Sequence, residues 1–277
     1  MQEYIFLYAI GFLAVIFAVI QDVRSREIAN WLTFSLIAFV IAYRVFYSIY
    51  SNNFMFFIYG LVGVCLFVGL GYLFYYAKVF AGGDAKLLFG IGGIFPYSSM
   101  ADYVYYGLGF ILLLFISGVS YTLIYSLFLV KNNYISFSKF FFKELQKRKY
   151  FFALSFLIGL FIIIVNSNLD ISLILLICFV IISPLLFAYI KAVEHSCMIQ
   201  LVSPEKLTEG DWLERDVKLK GRMIKKNFRG LSFEEILMLR NAHKNVWIKS
   251  GVPFAPAFLI ALVLLFLLLR YSSWKFF

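Results

Sequence analysis

Along its 277 residues the chain alternates long apolar runs with short polar breaks, and the run length is the first informative quantity. Crossing a hydrocarbon core about 30 Å thick takes roughly 20 apolar residues of helix. Runs of that order lie at Tyr4 to Gln21, Trp31 to Tyr50, Phe56 to Ala77, Tyr103 to Val130, Tyr150 to Asn166, Ile171 to Lys191 and Pro253 to Arg270. An eighth, Ala85 to Pro96, is short and Gly-rich. The pattern breaks once for longer, from Ala192 to about Gly251, where polar and charged residues dominate. The expected fold is therefore an all-α polytopic membrane protein of about eight transmembrane helices, with a small cytoplasmic α/β insert before the last helix. Its parts are a membrane helical core at 1–191, the soluble insert at 192–251, and the last helix and tail at 252–277.

Composition agrees with this pattern. Globular domains carry about 25% charged residues, whereas this chain has 14% charged and 63% hydrophobic residues. The first run starts Met1-Gln2-Glu3 without a basic segment and ends at Asp22-Val23-Arg24 rather than at a small-residue cleavage site, so it reads as a mature helix and not a signal peptide. Cys65, Cys178 and Cys197 are scattered and form no Cys-x-x-Cys, so they read as small apolar fillers and not as a zinc site or disulfide framework.

Most of the basic residues behind the net charge of +10 cluster in alternate loops. Arg24 and Arg26 follow the first run, Lys78 follows the third, and Lys131, Lys139, Lys143, Lys147, Arg148 and Lys149 precede Tyr150; many more basic residues lie between Lys191 and Lys249. The loops Ser51 to Met55, Tyr97 to Asp102 and Ser167 to Asp170 contain no Lys or Arg. Basic loops face the cytoplasm, which puts the N-terminus outside a cytoplasmic membrane and requires the weak segment Ala85 to Pro96 to cross. Asp22 and Asp84 then share the cytoplasmic face.

Within the insert, Val217 to Ile224 alternates apolar and basic residues like a short strand, and Ser232-Phe233-Glu234-Glu235 has the form of a capping box opening a helix to about Val246. The basic run Lys218, Lys220, Arg222, Lys225, Lys226 and Arg229 lacks aromatic interleaving and an RNA-binding signature, so it fits anionic lipid headgroups and not nucleic acid. Glu194-His195-Ser196-Cys197 has no second cluster to complete a metal site and reads as a solvated juxtamembrane segment, and His243 as a surface residue.

The candidate chemistry rests on two acids. Carboxylates at the edge of hydrocarbon are costly, and each marks a functional hypothesis by default. Asp22 lies in Gln21-Asp22-Val23-Arg24-Ser25-Arg26-Glu27-Ile28-Ala29-Asn30, and Asp84 in Phe80-Ala81-Gly82-Gly83-Asp84-Ala85-Lys86. Two carboxylates that approach closely cannot both ionise cheaply, so one keeps a proton and the pair titrates as a unit. That supplies a base to activate water and an acid to protonate a departing amine. Gly82 and Gly83 offer positive φ or close approach of another backbone, such as an extended substrate. Lys86 either supplies a nearby positive charge or snorkels to headgroups, and Arg24 and Arg26 serve as topology determinants.

The Ala-Gly-Gly-Asp-Ala-Lys segment and the Asp-x-Arg-x-x-x-Ile-x-Asn segment, on one side of the membrane, resemble the type IV prepilin and preflagellin (prearchaellin) peptidases, membrane aspartic proteases of the Gly-x-Gly-Asp class. The resemblance covers the first 130 residues or so and, at the end, Gly251-Val252-Pro253-Phe254-Ala255-Pro256-Ala257-Phe258. It implies that Asp22 and Asp84 are the catalytic pair, with Gly82, Gly83 and Lys86 as the substrate-binding expectation. It implies as substrates pilin-like or archaellin precursors with class III leader peptides, cut at the cytoplasmic face just before their hydrophobic segment, and no cofactor. Ala81 stands at the first Gly of Gly-x-Gly-Asp. The Cys-x-x-Cys zinc domain of bacterial members, which also N-methylate the product, is missing from the sequence. That absence, with the polar insert late in the chain, favours the archaeal branch without methyl transfer. The alternative is a proton- or cation-coupled transporter using the same two aspartates, against which stand the lack of an evident repeat and the position of both acids at one face.

Overall fold

A computed structural model of the chain describes residues 2–165, 170–219, 222–227 and 230–274. In chain order the helices are α1 (Gln2–Ser25), α2 (Asn30–Tyr50), α3 (Phe54–Tyr76), α4 (Gly82–Ile91), α5 (Met100–Asp102), α6 (Gly109–Asn132), α7 (Tyr134–Lys147), α8 (Lys149–Val165), α9 (Ile171–Cys197), α10 (Phe233–Asn241) and α11 (Ala255–Trp274). The strands are β1 (Ile199–Val202), β2 (Trp212–Leu213), β3 (Val217–Leu219), β4 (Arg222–Ile224) and β5 (Val246–Lys249). The chain divides into two compact units, Met1–Ile124 with Val252–Phe277, and Tyr125–Gly251.

In the first unit α1 packs on α2, α4 and α11, and α4 packs on both α2 and α3. One continuous core joins them, from Leu7, Val15 and Leu36 through Leu87, Leu88 and Ile91 to Phe258, Ala261 and Leu262. The outer faces of these helices are apolar as well: Ile5, Phe17, Phe39, Leu73, Ile116 and Leu267 are all exposed. A bundle that is apolar inside and out is built for lipid and not for water. Asp102 opens the next long helix, its Oδ2 accepting from the Ser98 and Ser99 N–H groups at 2.7 and 2.8 Å. After a π-helical turn at Tyr103–Leu108 the helix runs on as α6.

Among the described residues, five helices are long and apolar enough to cross a membrane, and a sixth if α7 and α8, bent by 64°, count as one. A shorter apolar helix covers Ala255–Leu269. The weak segment forms α4, whose 10 residues are a real helix but, at about 1.5 Å per residue, span only half of a hydrocarbon core. The tally of helices able to cross on length alone therefore falls short of the eight expected from loop charge.

The second unit corrects several local readings. The basic stretch before Tyr150 is not a loop: Tyr134–Lys147 is the amphipathic helix α7, in which Lys139, Lys143 and Lys147 recur every four residues while Phe137 is buried and stacks on Phe141. The Glu194 to Cys197 segment is the last turn of α9 and is packed rather than merely solvated: Glu194 pairs with Lys191 at 2.9 Å and Lys249 at 2.6 Å, His195 stacks on Phe140, and Cys197 is buried. Val217 to Ile224 is not one strand but the antiparallel pair β3–β4, with Lys218 opposite Met223. Lys220 and Arg229 of the basic run lie outside the described residues.

Ser232 caps α10 as the sequence implies, with Glu235 reaching back to its N–H. That helix stops at Asn241 instead of near Val246, because His243 turns into the left-handed region at φ 45°. Val246 to Lys249 then forms β5, the centre of the antiparallel sheet β1–β5–β2. Leu213, Ile236, Leu239, Val246 and Ile248 form its core.

Candidate active site

Asp22 lies in the last turn of α1, which ends with Arg26 in the left-handed region at φ 58° and its N–H bonded to the Asp22 carbonyl at 2.9 Å. The tight stop folds residues 27–29 back along the helix end, where the Gln21 Oε1 accepts from the Ala29 N–H at 2.9 Å. Asn30 then starts α2. A short, doubly tethered connection of this kind fixes Asp22, Ile28 and Asn30 relative to one another.

Asp84 lies in the first turn of α4, three residues after Ala81, whose carbonyl accepts the Ala85 N–H at 3.1 Å. Just before this turn Phe80 anchors the approach, its ring set against Phe74, Phe115, Phe254 and Phe258. These rings tie the end of α3 and the start of α4 to α6 and to the entry of α11.

The two carboxyl groups are nearly sequestered from solvent, Asp22 at 7% and Asp84 at 8% exposure. The neighbours of the two acids meet in register. Ile28 packs against Gly83, where a Cβ would come within 3.2 Å of the Ile28 Cβ, and Lys86 Nζ donates to Asn30 Oδ1 at 2.6 Å. At Gly82 the nearest atom to an added Cβ is on Tyr75 at 3.8 Å, so that position has room. Neither glycine has positive φ. Of the two uses expected for the doublet, positive φ is therefore not employed, and close approach applies at Gly83 alone, toward Ile28.

The third contributor is the backbone of α11. The Ala255 N–H donates to Asp22 Oδ2 at 2.8 Å in a buried setting. Pro253 and Pro256 have no N–H to offer, which leaves few donors at this helix start, and Ala255 turns its own to the acid. An N–H donated to a carboxylate from a helix N-terminus combines a charge-assisted bond with the positive end of the macrodipole. Sequence reading singled out the segment Gly251 to Phe258 but not Ala255, because a main-chain donor leaves no side-chain signature. Asn30 was likewise visible only as a motif position, without its partner.

Two buried acids on separate helices, one of them held by a third helix's main chain, define a candidate acid–base centre in a membrane-type helical bundle. Residues 9–128 match the model of the Type IV leader peptidase family. The match includes Asp22 and Asp84 and ends before α11. Among curated proteins, the preflagellin peptidase of Methanococcus voltae is 31% identical over 46% of this chain and 57% of its own length. That of Methanococcus maripaludis is 33% identical over 36% of this chain and 43% of its own length, and that of Methanocaldococcus jannaschii 32% over 34% and 39%. The chain thus spans about half the length of the curated relatives it matches. No solved structure matches it.

Proposed function

We propose that the chain is a multi-pass membrane aspartic endopeptidase that removes the short basic leader from preflagellin or pilin-like precursors, with Asp22 and Asp84 as its catalytic pair. The observation that carries this reading is the convergence of the two buried acids with their flanking residues, Ile28 on Gly83 and Asn30 on Lys86. The relatives named preflagellin peptidases support the substrate class.

The Ala255 N–H engages Oδ2 of Asp22 and favours charge on that acid, leaving Oδ1 to accept a proton from water. The water oxygen attacks the peptide carbonyl carbon while Asp84 gives its proton to the carbonyl oxygen. On collapse the C–N bond breaks, the proton taken by Asp22 passes to the leaving amine, and one hydroxyl of the diol returns its proton to Asp84 as the carbonyl re-forms. Burial excludes bulk water, so each transfer runs between fixed groups. The extended leader lies along the Gly82 side of the α4 entry, where Cβ space is open.

Loop charge supports a cytoplasmic active site and an N-terminus outside, and the sequence's lack of a Cys-x-x-Cys element supports processing without N-methyl transfer. In that topology α4 with the mostly buried segment 92–97 returns the chain across the membrane. Co-expression with a preflagellin bearing a basic leader tests the reading. The wild-type chain is expected to shorten the precursor, and Asp22→Asn and Asp84→Asn to leave it full length. Processing by either variant at the wild-type level would refute the assignment.

A further inference from the structure

A helix of 10 residues inside a bundle has an end that cannot reach water. Its last carbonyls lack intrahelical partners, and in an apolar interior they need donors from elsewhere. At the far end of α4 from Asp84 the Leu88, Gly90 and Ile91 carbonyls accept from the Gly92, Gly93 and Ile94 N–H groups at 3.3, 3.3 and 3.0 Å, and the carbonyls of the buried segment that follows turn to a side chain, Arg44 of α2, 1% exposed. Its Nε donates to the Gly93 carbonyl at 2.7 Å, Nη2 to the Phe95 carbonyl at 2.7 Å, and Nη1 to the Phe56 carbonyl of α3 at 2.8 Å. The guanidinium lies over the Phe56 ring, 4.8 Å from its centroid, and 5.7 Å from that of Tyr4. Its stem crosses α3 at Gly60, where a Cβ would overlap Cδ. An intramembrane cation this deep is a functional hypothesis by default. Here all three acceptors are main-chain carbonyls, and two of them belong to the segment that leaves α4.

We propose that Arg44 is a positioning residue for the acid pair: by clamping Gly93, Phe95 and Phe56 it fixes the axial depth of α4 and hence where Asp84 stands against Asp22. The proposal rests on the protease reading above for its catalytic consequence, though not for its geometry. From Asp84 to Ile91 the helix is about 10 Å of rod at 1.5 Å per residue, and two hydrogen-bonded turn residues join it to Gly93, so a slip at the clamped end is passed on to the acid. A misplacement of about 1 Å at a reacting group can cost about 100-fold in rate. Only a planar fork with donors in three directions serves these carbonyls together. Lysine, a point donor on a flexible stem, holds one at a time.

Two measurements on the full chain in lipid nanodiscs test this, each read on the folded fraction. The first is kcat and KM for cleavage of a precursor with a basic leader by Arg44→Met, Arg44→Lys and Gly60→Ala, the last of which presses on the guanidinium stem. Positioning expects kcat to fall about 10- to 100-fold in Arg44→Met with little change in KM, and Arg44→Lys to lie between it and wild type. The second is the rate at which a short bifunctional thiol reagent joins Asn30→Cys to Lys86→Cys, in a chain whose three native cysteines are alanine, with and without Arg44→Met. Slower cross-linking with the Arg44 change supports the clamp. Wild-type kcat in the folded fraction of both Arg44 variants, or an unchanged cross-linking rate, would overturn it. A chain that cleaves no precursor even as wild type, yet cross-links more slowly when Arg44 is lost, keeps the clamp and rejects the protease reading.

Discussion

The Ala255 N–H and Asp22 Oδ2 lie 2.8 Å apart although 233 positions separate them along the chain. The first residue of the last helix thereby orients an acid at the end of the first. Substituting proline at 255 removes this donor and sets a ring carbon against Asp22 in a fully buried position, so both the hydrogen bond and the placement of the acid are lost. A hydrogen bond to a charged group contributes about 1.5–3 kcal/mol. Ala255→Pro is therefore expected to lower kcat by at least roughly 10- to 100-fold and to lower the melting temperature in detergent as well. An unaltered kcat would show that Asp22 does not depend on this donor.

Gly82 and Gly83 are neighbours with opposite expectations. Alanine at 82 meets nothing nearer than Tyr75 at 3.8 Å, whereas alanine at 83 presses on Ile28 at 3.2 Å. Gly82→Ala should leave the melting curve at its wild-type position, and any effect on cleavage should fall on KM, because the added methyl faces the path given to the leader. Gly83→Ala makes Ile28 give by a few tenths of an ångström, and overpacking of this kind costs up to about 1–3 kcal/mol. Side-by-side cleavage rates and melting curves of the two variants decide it, and equal behaviour of the pair would contradict the close-approach role of Gly83.

What could be read from residue types alone follows from what each kind of signal encodes. Long apolar runs reported α1, α2, α3, α6 and α9 because crossing length is written in hydropathy. The capping box at Ser232 and Glu235 was legible because both partners lie within one turn. Helix α7 was hidden by its own lysines: counting charge for topology treats Lys139, Lys143 and Lys147 as a loop, although their spacing of four puts them on one helical face. The early end of α10 was hidden because His243 adopts positive φ without being glycine. At the site, Asp22, Asp84 and Gly83 could be named in advance, since a carboxylate or a glycine doublet is conspicuous in an apolar chain. Their partners were not, because a main-chain donor at Ala255 and a tertiary contact from Lys86 to Asn30 are properties of the folded backbone.

The Lys86 contact has a consequence of its own. With its Nζ on Asn30 Oδ1 at 2.6 Å, this ammonium is tied to the loop after Asp22. Partly exposed polar pairs contribute about 1 kcal/mol or less. Asn30→Ala and Lys86→Met should each lower stability by that order, and the double variant by no more than either alone. A double-mutant cycle on detergent melting curves measures the coupling, and strictly additive effects would indicate that the two side chains act apart.

In the other unit the Ser232 cap offers a control. Ser232→Ala removes the acceptor for the Glu235 N–H, a loss of about 1 kcal/mol to α10. Thermal unfolding should register it while precursor cleavage stays at the wild-type rate. A cleavage defect with an intact melting profile would instead bring this unit into the reaction.

The most direct test of the acid pair is single-turnover cleavage of a preflagellin precursor by the purified chain in lipid, comparing Asp22→Asn, Asp84→Asn and the double variant. Acids that share one proton and one water act as a unit, so each single change should reduce the rate as far as both together. Full leader removal by either single variant, or losses that multiply in the double one, would contradict a shared site.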